Sequence, residues 1–172
     1  MKSSFHFLRE TDSNSYIETY GVDFEDFEPG QVFEHRPGKT LLAEECVSHA
    51  VRSLDLNPRH ADRHFAAALY GNKVPVTETY ILSLLAMTTK TFGKVVANLS
   101  IIDFEMKPVY AGDTLYFESE ILTKRESASR PDQGILHIAT RGINQHGEQV
   151  CSFERKLLIY REGHGPYTQA GY

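Results

Sequence analysis

Tryptophan is absent from the 172 residues, cysteine occurs twice and methionine three times. Two cysteines, Cys46 in a helix-like stretch and Cys151 in a strand-like one, cannot build the dense disulfide framework of a small secreted domain. They read as thiols of a reducing compartment. No apolar run approaches the roughly 18 residues of a membrane span, and Met1 to Glu10 lacks the unbroken apolar segment of a secretory signal. A cytoplasmic protein without a membrane partner is expected. There is no basic stripe either: 18 Lys and Arg are scattered among 23 Asp and Glu, for a net charge of −5 and a pI near 5.9. That balance argues against a nucleic-acid partner. No Cys, His and acid spacing resembles a zinc site, and internal repeats and low-complexity segments are missing.

What is present suffices for one domain, since 41% of the residues are hydrophobic. Residues 1–20, rich in Ser, Thr, Asn and Asp, read as an arm laid on a domain spanning 21–162, with 163–172 as a tail. After short extended pieces at 31–35 and 39–42, separated by Pro37-Gly38, residues 43–54 place Cys46, Val47, Ala50, Val51 and Leu54 on one helical face. That helix should stop before Asn57-Pro58. Residues 62–70 predict a short helix capped by Asp62, with Gly71-Asn72 as its end. Residues 77–87 are apolar around most of the helical circumference, which requires burial and predicts a sheet wrapped around them. Residues 95–106, 114–124, 134–144 and 149–160 then read as four consecutive antiparallel strands, separated by turn-forming segments. The fold class is α+β: an antiparallel sheet wrapped around a central apolar helix.

The stretch Asp55-Leu56-Asn57-Pro58-Arg59-His60 sets an acid and an imidazole five positions apart around a rigid turn. On a continuous helix they would diverge by about 140°. The Asn-Pro break lets a loop bring them together. Such a pair suits addition of water across a double bond conjugated to a carbonyl, where one group activates water and another manages the proton at the neighbouring carbon. Negative charge then develops on the carbonyl oxygen. Backbone amides at the start of the apolar helix, near residues 76–79, would stabilise it.

Asp-x-Asn-Pro-x-His resembles the hydratase motif of the MaoC-like family of hot-dog-fold enzymes, and the resemblance extends over residues 22–160. Pro75 leads into the apolar helix, and Pro108-Val109-Tyr110-Ala111-Gly112-Asp113 precedes the second long strand, as in that family. The resemblance implies that Asp55 and His60 act together on water, that Asn57 holds the loop, and that substrates are enoyl or 3-hydroxyacyl thioesters of coenzyme A or acyl carrier protein. Coenzyme A or phosphopantetheine would enter as part of the substrate, with no separate cofactor and no metal. It also implies a homodimer or higher homo-oligomer, with two sheets joined edge to edge. Glu78-Thr79 stand where many members have His-Gly. With Ala97-Asn98-Leu99, Gly112 to Tyr116, Lys124 to Ser127 and Arg141 to Gln145, this departure is similar to the branch acting on mesaconyl- and methylmalyl-type thioesters. Substrate binding is therefore expected at Asn57, Arg59, Thr77, Glu78 and Thr79. Arg59, Arg130 and Arg141 are candidates for an extra substrate carboxylate.

Plainer readings stand beside these. Asp, Asn and Pro are ordinary helix-end residues, Asp62 is a cap, Glu78 complements a helix dipole, and His35, His49, His64, His137 and His146 read as structural or solvated. The alternatives to a hydratase or dehydratase are a hot-dog thioesterase, or a catalytically silent thioester-binding subunit suggested by Thr79.

Overall fold

In three successive strands alternate side chains face inward and most of these are apolar: β5 (Thr114–Glu126), β6 (Gln133–Ile143) and β7 (Gln149–Tyr160). Alternation of this kind commits one face of a sheet to a core. The computed structural model describes residues 7–167 and 169–170. Its main sheet has five strands in the order β3-β5-β6-β7-β4, where β3 is Val32–Thr40 and β4 is Val95–Met106. Every pairing is antiparallel.

Two expectations change here. The four long strands are not consecutive neighbours, because β4 lies at the far edge and pairs with β7. The helices that precede β4 deliver it to the opposite side of the sheet, and the Pro108–Asp113 crossing returns the chain to β5. Residues 31–42 do not form two broken pieces. Residues 32–40 form one strand, β3, whose register against β5 shifts between His35 and Lys39, where Pro37 cannot donate a ladder hydrogen bond.

The helical segments are α1 (Ala43–Arg52), α2 (Pro58–Ala61), α3 (Arg63–Tyr70), α4 (Glu78–Ser83) and α5 (Thr89–Phe92), with a 3-10 stretch, Leu84–Thr88, joining the last two. The central apolar helix is therefore longer than expected, reaching Phe92, and is not uniformly α. Tyr80, Ile81, Leu84 and Phe92 are buried under the sheet, whereas Leu82, Leu85 and Met87 are half-buried. Five strands of one chain cover one flank of this helix and leave the other partly open. None of the described helices is long and apolar enough to cross a membrane. Within the N-terminal arm, β1 (Leu8–Asp12) and β2 (Ser15–Glu18) form a hairpin separate from the main sheet, and residues 1–6 lie outside the described residues.

The core divides in two. One cluster gathers Leu41, Tyr80, Ile81, Leu115, Phe117 and Phe153; the other gathers Phe24, Phe27, Phe92, Ile121, Ile138 and Leu157. Between them the inward position of four strands is polar: His35 on β3, Ser119 on β5, Thr140 on β6 and Arg155 on β7, all buried. His35 Nε2 lies 3.0 Å from Ser119 Oγ, which lies 3.1 Å from Thr140 Oγ1. A buried polar belt of this kind is tolerable only while its members find partners.

Burial, with the positive charges of Arg155 and Arg36 adding to it, pushes the His35 pKa down to about 4. In the unfolded chain the ring titrates near 6.5. The unfolded state therefore binds the proton first, and stability falls as pH drops from about 6.5 toward about 4. Urea unfolding should show a loss of about 2 kcal/mol from this group between about pH 7 and about pH 5. His35→Gln, which retains a partner for Ser119, should show that much less acid sensitivity. An unchanged pH slope would refute the assignment.

Candidate active site

The end of α1 shapes the loop that carries the acid–imidazole motif. Ser53 Oγ donates to the His49 carbonyl at 2.9 Å, Leu54 turns left-handed with φ 57, and the Asp55 N–H returns to the Ala50 carbonyl at 2.9 Å. Asp55 Oδ1 accepts the Asn57 N–H at 3.1 Å, and Asn57 Oδ1 accepts the Arg59 N–H at 3.2 Å. Pro58 occupies the first helical position, where its missing N–H leaves nothing unsatisfied. The Asn-Pro step that reads as a break thus also opens the one-turn helix α2. Asn57 is its cap. Asp62 then caps α3 as expected, accepting the His64 and Phe65 N–H groups at 2.9 and 3.1 Å.

His60 leans on the chain that leads into the central helix. Its Nδ1 lies 3.4 Å from the Pro75 carbonyl oxygen. A carbonyl only accepts, so Nδ1 carries the proton in this contact, and the neutral ring keeps its lone pair at Nε2. His60 walls two small cavities. One, of about 180 Å³, also meets Arg59, Glu78, Lys107 and Tyr110; the other, of about 300 Å³, lies against α1 and α3 beside Glu44 and Arg63.

At the start of α4, buried Thr77 caps the helix by accepting the Tyr80 N–H at Oγ1, 3.1 Å away. The same oxygen lies 3.1 Å from Thr79 Oγ1, which is 3.1 Å from His49 Nε2. The amides of Glu78 and Thr79 take no part in this cap. They sit at the positive end of the helix, where an oxygen gaining negative charge is favoured.

The structure thus brings His60, Arg59 and Glu78 around one cavity beside the helix start. Asp55 does not join His60 through a hydrogen bond or ion pair among the described residues; its Oδ1 accepts the Asn57 N–H within the loop, and the His60 ring meets the Pro75 carbonyl. Thr79 points its hydroxyl at α1, toward His49, and Thr77 is committed to the cap. Of the arginines offered for an extra carboxylate, Arg141 pairs with Glu118 at 3.6 Å on the outer sheet face and Arg130 bonds Gln133 at 3.4 Å; Arg59 alone of these lines the His60 cavities.

Two residues with roles here escape a reading of the sequence for motifs. His49 stands one turn after Glu45 on α1, and this i, i+4 pair faces the central helix: Glu45 Oε2 accepts the Tyr80 hydroxyl at 3.2 Å while Oε1 meets Lys39 Nζ at 2.6 Å. The Lys39 ammonium holds the Glu45 carboxyl below its usual range, and burial together with that carboxylate pushes the Tyr80 hydroxyl up to about 12. Arg155 is the second. Its signal is a cation at an inward position of an otherwise apolar alternation.

Comparison with known proteins follows the same lines. The profile of a family described as Mesaconyl-CoA hydratase matches residues 7–169. A mesaconyl-CoA hydratase from Cereibacter sphaeroides is 31% identical over an alignment that takes in 81% of this chain and 41% of the relative, so the chain spans about two fifths of that protein's length. An (R)-hydratase from A. caviae involved in PHA biosynthesis superposes with a TM-score of 0.62 at 27% identity, covering 77% of this chain and 97% of the other. A Mycobacterium tuberculosis protein described as having a double hotdog fold superposes with a TM-score of 0.72 at 24% identity over 84% of this chain and 46% of its own, a likeness of fold.

Proposed function

Because this chain belongs to the mesaconyl-CoA hydratase family of MaoC-like, hot-dog-fold proteins, we propose that it adds water to, or removes it from, the 2,3-bond of an acyl thioester. The observation that carries this reading is the placement of His60, held through Nδ1 by the Pro75 carbonyl, beside the first amides of the central helix. In the hydration direction Asp55 and His60 act together on a water molecule, drawing off its proton as its oxygen attacks C3. The electrons move onto the thioester oxygen, which the Glu78 and Thr79 amides stabilise, and C2 then takes up a proton. Asn57 keeps the loop in shape. Arg59 and Glu78 border the space an acyl group would enter. Substrates are coenzyme A or carrier-protein thioesters, with a branched or dicarboxylic acyl group such as mesaconyl in view of the family.

A homodimer completes this reading. The edge strand β3 is guarded by Glu34, Arg36 and Lys39, whereas the other edge, β4, exposes Val96, Leu99, Ile101 and Ile102. An apolar open edge invites a second copy. The half-covered flank of the central helix gives the partner a further surface to bury.

Following the enoyl-thioester absorbance with crotonyl- and mesaconyl-CoA should show consumption without release of free thiol. Asp55→Asn and His60→Ala should each cut turnover by at least ~100-fold while leaving circular dichroism unchanged. Thiol release would instead establish a thioesterase, and full activity of both variants would remove the proposed pair. For the dimer, Leu99→Lys with Ile101→Lys should convert the assembly to monomers in sedimentation velocity. A wild-type chain that sediments as a monomer would contradict the edge-to-edge arrangement.

A further inference from the structure

Arg155 is 3% exposed and projects from the core-facing side of β7 between Phe153 and Leu157. Arginine keeps its charge in protein interiors, and an unpaired buried charge is among the most costly groups a fold can hold. Among the described residues no carboxylate forms an ion pair with it. Its Nη2 makes one long hydrogen bond, 3.4 Å, to Thr88 Oγ1, and its Nε is buried without a partner. The guanidinium lies 5.7 Å from the Phe92 ring centroid, and the His35 ring lies 5.8 Å from that same centroid. Burial lowers its pKa to about 10, which leaves it cationic at neutral pH.

This cation borders a cavity of about 700 Å³. The walls are mostly apolar and aromatic: Leu85, Phe92, Val95 and the rings of Tyr20 and Tyr167. An apolar chamber with one convergent charge is the pattern of a site for a small organic ion. The cavity shares no lining residue with those around His60. Thr88 stands ten residues along the helix from Glu78, roughly 15 Å at helical rise, beyond the span of a short acyl group whose thioester lies at the helix start.

We propose that the chamber above Arg155 is a second binding site, which takes a carboxylate carried on a compact apolar body, with the Arg155 guanidinium as its receptor. Two parallel N–H donors on a planar fork match the two oxygens of a carboxylate. The anion supplies the counter-charge that the fold withholds. Because the site is defined by binding, it stands independently of the hydratase reading.

Isothermal titration of the full chain with crotonate, its uncharged isostere crotonamide and inorganic phosphate tests this. Crotonate should bind with a stoichiometry of one per chain, and crotonamide and phosphate should not. Arg155→Met, which keeps the volume and removes the charge, should weaken crotonate by about tenfold or more. If that variant does not fold, Arg155→Lys, which keeps the charge and loses the planar fork, should weaken crotonate in the same direction. Equal binding of crotonate and crotonamide, preference for phosphate, or undiminished crotonate binding in the substituted protein would overturn the proposal. The source of the carboxylate is read separately. Loss of crotonate binding in Arg155→Met with the KM values for mesaconyl-CoA and crotonyl-CoA both unchanged assigns it to a free acid; a rise in the KM for mesaconyl-CoA alone would overturn the independence of the chamber from the thioester site.

Discussion

The short extended run Val74–Val76 ties the helix start, the motif loop and the sheet into one unit. Val76 donates to the Val109 carbonyl at 3.0 Å, and Ala111 donates to the Val74 carbonyl at 2.8 Å, so Pro75 sits opposite Tyr110 between two hydrogen bonds. Pro75 has no N–H to offer, and the bonds on either side of it leave its carbonyl outside the ladder. That carbonyl is the one His60 meets. The Gly112 N–H then bonds Leu41 and the Leu41 N–H bonds Asp113, which fastens the beginning of α1 to the same crossing. Shift this run, and the imidazole, the first amides of the central helix and the loop bearing Asp55 all move with respect to one another. Chemistry that requires a base and an oxyanion site at fixed separation depends on that rigidity.

A different constraint governs the middle of the sheet. Apolar clusters above and below could have merged into one continuous core, yet His35, Ser119, Thr140 and Arg155 separate them. Burying such groups costs stability relative to well-packed apolar residues, even when they are partnered. The His35–Ser119–Thr140 chain is satisfied internally. Arg155 is satisfied only in part, and this is what turns a structural belt into a receptor.

Much of this was legible from residue order. The strand bounds follow from alternation, α1 from its apolar face, the cap at Asp62 from its chemistry, and the Gly112-Asp113 turn from a glycine that adopts φ 100; that Asn57 caps a one-turn helix was not legible, since Asn-Pro reads as a break. What escaped depends on pairing across distance. Period-two alternation says that β4 is a strand and cannot say that its neighbour is β7 instead of β5. Apolar residues around a whole helical circumference signal burial, but not that one chain covers only one flank. That Asp55 Oδ1 turns back on the Asn57 N–H is not written in the spacing of the motif, and Arg155 looks like a solvated charge until its register places it inward. His49 matters only because α1 crosses the start of α4, which no local spacing records.

The central claim is that the helix approach, through the Pro75 carbonyl, sets the imidazole of His60 in the tautomer its chemistry needs. Nitrogen-15 NMR of histidine-labelled protein, with the His60 signals assigned by His60→Gln, reads that tautomer directly. At a pH where the ring is neutral the account predicts a protonated Nδ1 and a bare Nε2. A protonated Nε2 with a bare Nδ1 would contradict it.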